Sequence, residues 1–249
     1  MLSEAMLACA GVINRMGSIA AGSTVSDYHD SEQTRQISVS TTLMHLEWQG
    51  KKFNILDCPG YADFISEALG ALRVSDLAVV TVHANHGSGV GTDAVWKCAT
   101  ANGIPKVIVL NAFDKEETDF DKALAQLREH FGERVFPLTV PINAGPGFNQ
   151  VLDIPRNEII TYAADKSGKF TEAPATGALL ERAKELHNKL IEFIAESDDV
   201  LMEKFFSQGG LSEEEMRAGL HDAIQKQVFT RSEERRVGKE CRSRWSPYH

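Results

Sequence analysis

Residues 51–60 read KKFNILDCPG, an extended run ending in the turn Asp57-Cys58-Pro59-Gly60. Two more apolar runs follow, LAVVTV at 77–82 and KVIVL at 106–110, the second leading into Asn111-Ala112-Phe113-Asp114. Working outward, helical spacing separates the runs. Ile65, Ala68, Leu69 and Leu72 mark a helix within Tyr61 to Val74, Asp93 to Ala101 reads as another, and Leu124 and Leu127 mark a third from Phe120 to Phe131. Strands that alternate with helices predict an α/β fold, a mostly parallel sheet with helices on both faces. Ligands of such sheets bind outside the carboxyl ends of the strands, where both polar turns fall.

Upstream, Met1 to Ile13 reads as a helix through Leu2, Met6, Leu7 and Ala10, although it has no start signal. Asn14 to Arg35 is rich in Gly, Ser, Thr and Asp without periodicity and reads as a long exposed loop. Ile37 to Trp48 reads as a strand joined to Lys51–Asp57 by a hairpin at Gln49-Gly50. Beyond Gly132 the rhythm changes. Val135 to Ile142 and Gln150 to Ile154 read as short strands around the turn-forming run Asn143 to Gly147, and Lys166 to Gly177 as loop. Helices are expected over Leu179 to Glu196, Asp198 to Phe206 and Ser212 to Gln225, the last with a capping box of Ser212 and Glu215. This part reads as an inserted α+β subdomain.

Composition bounds the function. With 249 residues, 43% hydrophobic and 24% charged, the chain is globular rather than disordered. The mean hydropathy is −0.22, and no apolar run approaches the roughly 18 residues that span a bilayer, so no membrane role is expected. The four cysteines, Cys9, Cys58, Cys98 and Cys241, form no CxxC pair and no disulfide pattern. A reducing cytoplasm is the expected location. The net charge is −9, and −12 without Arg231 to His249, where the other residues hold 20 basic against 32 acidic groups. Such a surface disfavours binding to DNA. Arg231-Ser232-Glu233-Glu234-Arg235 back-translates as AGA TCG GAA GAG C, the start of a common sequencing-library adapter, so residues 231–249 are set aside as an artefact of assembly.

The two turns carry chemistry. At Asp57 to Gly60 a carboxylate can hold a magnesium-bound water, and a glycine lets its N–H approach a phosphate oxygen with no side chain between. At Asn111 to Asp114 a carboxylate can accept two hydrogen bonds from the N1–H and exocyclic amine of guanine, while Asn111 ties neighbouring loops. Each motif alone is degenerate, since Gly turns after strands, and Asn and Asp in loops, are common. His83 and His86 have no acidic or Cys partner at metal-ligand spacing and read as loop histidines. Cys58 has no His neighbour in sequence and reads as a packing residue rather than a nucleophile.

Taken together with Arg35-Gln36-Ile37-Ser38 before the first strand, the two turns resemble those of a translational GTPase, and the chain is most similar to elongation factor G. Asp57 to Gly60 matches the switch II motif, Asn111 to Asp114 the guanine-reading motif, and Ser38 falls where the switch I threonine binds magnesium. Leu190-Ile191-Glu192, Asp198 to Phe206 and Leu211 to Glu215 resemble the helical part of the subdomain that distinguishes elongation factor G from elongation factor Tu. The resemblance implies a P-loop GTPase-type sheet and GTP and Mg2+ as cofactors. It implies Asp57 and Ser38 on the metal, and Asp57, Cys58, Pro59, Gly60, Asn111, Ala112, Phe113 and Asp114 around the nucleotide. Tyr61 would face the attacking water. The implied partner is the ribosome, its RNA and proteins, engaged in translocation or recycling by a monomer. A ribosomal-protection GTPase and a non-hydrolysing ribosome-binding paralogue are the alternatives.

Four departures from the pattern shape these expectations. No Gly-rich loop ending in Gly-Lys-Ser/Thr precedes Leu2-Ser3-Glu4, and no Ser-Ala turn follows Phe229. The expected organisation is therefore a truncated GTP-binding domain at 1–132 that lacks its first central strand and phosphate loop. The insert would occupy 133–226, with the start of a returning strand at 227–230, and this chain alone is expected to be inactive. Tyr61 replaces the family's catalytic histidine, and a phenol with a reference pKa near 10 cannot become cationic near neutral pH as an imidazole can. Ala112 replaces a lysine whose stem packs along the nucleotide.

Overall fold

The computed structural model describes residues 1–133, 135–163, 169–196, 198–208 and 210–225. The expected returning strand at 227–230 and the tail at 231–249 lie outside the described residues. The chain divides into two compact units, one built mainly from Met1–Ser75 with Val90–Cys98, the other from Asp76–Gly89, Ala99–Tyr162 and the residues from Phe170 onward.

In the first unit, helix α1 (Leu2–Cys9) is followed by the short helix α2 (Asp30–Arg35) and the antiparallel strands β1 (Thr42–Trp48) and β2 (Lys51–Asp57). The hairpin sits where expected. Gln49 and Gly50 both take positive φ, 50° and 73°, the geometry that matches the twist of the flanking strands. Thr42 pairs with Asp57 and Trp48 with Lys51. On one face Met44 and Leu46 pack with Leu7 of α1, bordered by Ala10, Ile13 and Ile55. A 3-10 turn (Ala62–Phe64) and helix α3 (Ile65–Leu72) follow the Asp57 turn.

Three sequence expectations change here, each for a local reason. Helix α1 stops at Cys9 rather than Ile13, because Gly11 turns left-handed (φ 72°) and the Val12 N–H folds back to the Leu7 carbonyl at 2.9 Å. The stretch expected to be loop through Arg35 contains α2. The strand expected from Ile37 begins only at Thr42, since the N–H groups of Val39, Ser40 and Thr41 are taken by side-chain carboxylates and have none left for a strand partner.

The second unit opens with β3 (Ala78–His83), which pairs in parallel with β4 (Lys106–Asn111), His83 lying opposite Asn111. In sequence α4 (Val90–Ala101), whose residues Val90–Cys98 belong to the first unit, lies between β3 and β4, and α5 (Phe120–Phe131) follows β4, capped by the Asp119 carboxylate on the Lys122 N–H at 3.1 Å. The α/β class is borne out. Among the described residues parallel pairing is confined to β3 and β4, and β1–β2 and β3–β4 form separate two-stranded sheets.

The remainder of this unit is an antiparallel four-stranded sheet, β5 (Thr139–Pro141), β6 (Gln150–Asp153), β7 (Glu158–Tyr162) and β8 (Phe170–Pro174), in that spatial order. It packs with helices α6 (Gly177–Ala195), α7 (Asp199–Gln208) and α8 (Glu213–Gln225) around a core that includes Val140, Leu152, Leu190, Ile194 and Met216. Strands β7 and β8 replace what the sequence presented as unassigned chain and loop. The capping box at Ser212 is present. Its hydroxyl accepts the Glu215 N–H at 3.3 Å, and the Glu215 carboxylate accepts the Ser212 N–H at 3.1 Å. Gly219 of α8 lies against α6 and α7, where a Cβ would come within 2.4 Å of Ile194 and 2.8 Å of Leu201.

Candidate functional site

Strand β2 delivers Asp57 to the edge of the hairpin, where its Oδ2 accepts the Ser3 hydroxyl at 2.7 Å. Pro59 is buried and Gly60 exposed. The space around Gly60 is open, with nothing within 4 Å of the position a Cβ would take, so its peptide can be approached closely. Tyr61, next in the chain, is 58% exposed. An open cleft of about 430 Å³ is lined by Gly60 and Tyr61 on one side and by Gln36, Ile37 and Ser38 on the other, with Ile19 and Asp27 completing it. The structure thus brings together Ser38, Gly60 and Tyr61, three residues singled out in the sequence for one site.

The Ser38 hydroxyl donates to Asp27 Oδ1 at 2.7 Å, which leaves the oxygen's lone pairs free to accept or coordinate. Ser38 is held in place by its neighbours. Glu32 of α2, only 1% exposed, accepts the Val39 and Ser40 N–H groups on Oε1 at 2.9 and 3.0 Å and the His29 N–H on Oε2 at 3.3 Å. Burial pushes the Glu32 carboxyl up, but these three donors, with His29 adding to them, outweigh burial and hold it below the ordinary carboxylate range. Thr41 ties the segment onward, its N–H to Glu67 of α3 at 2.9 Å and its hydroxyl to Cys58 Sγ at 3.7 Å. Burial raises the pKa of the Cys58 thiol, the Thr41 hydroxyl partly offsets this, and Asp57 and Glu67 raise it further; such a thiol is a packing group. None of Asp27, Glu32 or Glu67 was singled out from the sequence. Glu32 follows His29 by three residues, the spacing of a capping box, but His is a rare cap, so the signal was hidden.

Oxygen donors are what magnesium prefers, and it is ordinarily held by one or two carboxylates together with phosphate oxygens rather than by a protein cage. Asp57 and Ser38 are oxygen donors of that kind, but Asp57 does not line the cleft that Ser38 lines, and its Oδ2 is engaged by Ser3. Among the described residues no group of three or more His, Cys, Asp or Glu is gathered to hold a metal by itself.

The second loop is fixed from below. Asn111 at the end of β4 folds its Oδ1 back to the Ala112 N–H at 2.8 Å, and the Ala112 carbonyl accepts the Lys115 N–H at 3.3 Å. Ala112 sits at φ 68°, a left-handed conformation that alanine adopts at a cost. The Phe113 ring is buried between Phe120 and Phe148, with centroids 6.0 Å from each, and its carbonyl accepts the Gly145 N–H at 2.7 Å. Phe113 is therefore the loop's anchor. The Asp114 carboxylate is 64% exposed, with Lys115 Nζ at 3.9 Å, and is available to a ligand. The His83 and His86 rings meet at a 37° tilt with centroids 4.3 Å apart, His83 lying opposite Asn111 in the strand pair and its Nδ1 accepting the Asn85 N–H.

An α/β chain with a Gly-containing turn after one strand and an Asn–Asp loop after another has the architecture of a GTP-binding domain. Residues 1–232 match the family model described as "Elongation factor Tu GTP binding domain". The chain belongs to this family, the GTP-binding domains of translational GTPases. Among solved structures it resembles a protein from Thermus thermophilus with a TM-score of 0.83 and 29% identity, over 90% of this chain and 33% of that one. The chain thus spans about a third of the length of the solved protein it matches.

Proposed function

We propose that this chain is the GTP-binding part of an elongation factor G-like GTPase that binds GTP with Mg2+ in the cytoplasm and acts on the ribosome in translocation or recycling. The observation that carries this reading is the convergence of Ser38, Gly60 and Tyr61 on one cleft in a chain whose residues 1–232 match the family. In it, Asp57 and Ser38 hold the cation, and Gly60 meets the terminal phosphate. Asn111 and Asp114 serve the base on a loop shaped by Ala112 and Phe113, while Cys58 and Pro59 shape the turn before Gly60. Residues 1–132 form the GTP-binding part and 133–226 the insert.

The bound nucleotide supplies the bond to be broken and most of the charge that steers the switches. The test is nucleotide-dependent sedimentation with 70S ribosomes of a protein in which a Gly-rich phosphate loop precedes this chain. Retention with a non-hydrolysable GTP analogue and release with GDP supports the reading, and equal behaviour with both nucleotides overturns it. One observation favours a second reading. Tyr61 places a phenol, not an imidazole, at the cleft, which suits a paralogue that binds ribosomes without hydrolysing GTP. Nucleotide-dependent binding without ribosome-stimulated turnover selects it.

A further inference from the structure

The long stretch between α1 and β1 has few buried apolar side chains, yet it is held by two buried carboxylates. Glu4, 2% exposed, accepts the Gly17 N–H at 2.8 Å and the Val25 N–H at 3.0 Å. Gly17 belongs to that first lobe by necessity, since a Cβ there would lie 2.1 Å from the Ser23 carbonyl oxygen. Glu32, 1% exposed, gathers the N–H groups of His29, Val39 and Ser40. The Gln36 backbone at φ 56° reverses the chain between α2 and these amides, and the Ile37 N–H closes on the Glu32 carbonyl at 3.3 Å. No backbone donor is shared between the two carboxylates.

We propose that Glu32 is a clasp, a positioning residue through which residues 36–40, and with them the Ser38 wall of the cleft, open and close as one piece while the lobe held by Glu4 stays shut. The physical ground is the asymmetry of buried hydrogen bonds. A buried carboxylate with three N–H donors is stable, but losing it leaves all three donors unpaired at once, so the segment releases together or not at all. Ser38 immediately precedes the first clasped amide and is carried with it, its bond to Asp27 being the separate tie that breaks when Val39 and Ser40 swing out. The inference concerns the protein's own backbone and stands whether or not the cleft receives a nucleotide.

The test is residue-resolved amide hydrogen exchange on the full chain at neutral pH. In Glu32→Ala, the Val39 and Ser40 amides are expected to exchange at least about tenfold faster than in the unaltered chain, with Gly17 and Val25 unchanged. Cleavage by trypsin after Arg35, an exposed residue at the end of α2, should rise in parallel. Glu32→Gln discriminates a clasp from a mere filler. Its carbonyl oxygen still serves Val39 and Ser40, whereas its amide nitrogen cannot accept, so the His29 amide alone should lose protection. This variant also decides the matter if Glu32→Ala does not fold. Unchanged exchange at Val39 and Ser40 in Glu32→Ala, opening that spreads equally to Gly17 and Val25, or equal loss at all three amides in Glu32→Gln overturns the proposal.

Discussion

Two residues at the cleft make separable predictions. Gly60 has empty space where a Cβ would go, so Gly60→Ala should leave the melting temperature unchanged within error and, in a protein that also carries the Gly-rich loop, abolish the difference between GTP and GDP in ribosome binding. A fall in melting temperature would instead make Gly60 a packing residue. Tyr61 is exposed on the same cleft, and replacing it removes no buried contact. In a protein that also carries the Gly-rich loop, Tyr61→His is expected to raise single-turnover GTP hydrolysis on ribosomes by roughly tenfold or more, because an imidazole titrates near neutral pH and can act as acid or base. No acceleration would remove position 61 from the chemistry. The sequence pointed to these two residues because each stands in a motif. It did not point to Asp27 or Glu32, which act through hydrogen bonds to segments 11 and 7 or 8 residues away, contacts that have no signature in spacing.

Among the elements, α8 is the most exposed to a single change. A glycine in a helix interior ordinarily gives way to alanine with a gain. At Gly219 the added methyl would meet the stiff, fully buried Ile194 and the end of Leu201. Gly219→Ala is therefore expected to destabilise the second unit by about 1–3 kcal/mol, read from urea unfolding, and a stabilised variant would show that α6 and α8 can move apart. The start of α8 adds a pH dependence. The ion pair with Lys204, then the Ser212 N–H and hydroxyl, lower the Glu215 carboxyl from 4.5 to about 2. The folded value lies below the unfolded one, so its contribution is complete above pH 4.5 and is lost as pH falls toward about 2. Glu215→Gln should flatten the acid limb of thermal stability in that window. The legible elements were those with apolar period, β2, β3, β4 and α5. Helix α2 is entirely polar and owes its place to Glu32, and β8 is exposed at all five positions, held by backbone pairing to β7, so neither leaves a hydrophobic pattern to read.

For the whole molecule, the two units differ in what holds them. Leu7, Met44 and Leu46 form one small cluster in the first, where Ala68, Ala71 and Leu72 of α3 are also buried, whereas the second gathers Val140, Leu152, Leu190, Ile191, Ile194 and Met216 among others. Hydrogen exchange in rising urea should show the amides of Met44 and Leu46 losing protection before those of Leu190 and Ile194; the reverse order would mean that buried carboxylates stabilise the first unit more than its apolar area suggests. The second consequence concerns the sheets. A pair of strands has two outer edges, and in β3 the edge away from β4 is a row of N–H and C=O groups along Ala-Val-Val-Thr-Val, without charge, proline or bulge, with Val79 half exposed. Strand β8 is also an edge but is blunted by Pro174 and by Glu172 with its Arg156 partner. Among the described residues β3 carries no such guard, so its outer edge is a template on which a further strand, from this chain or from another molecule, can pair.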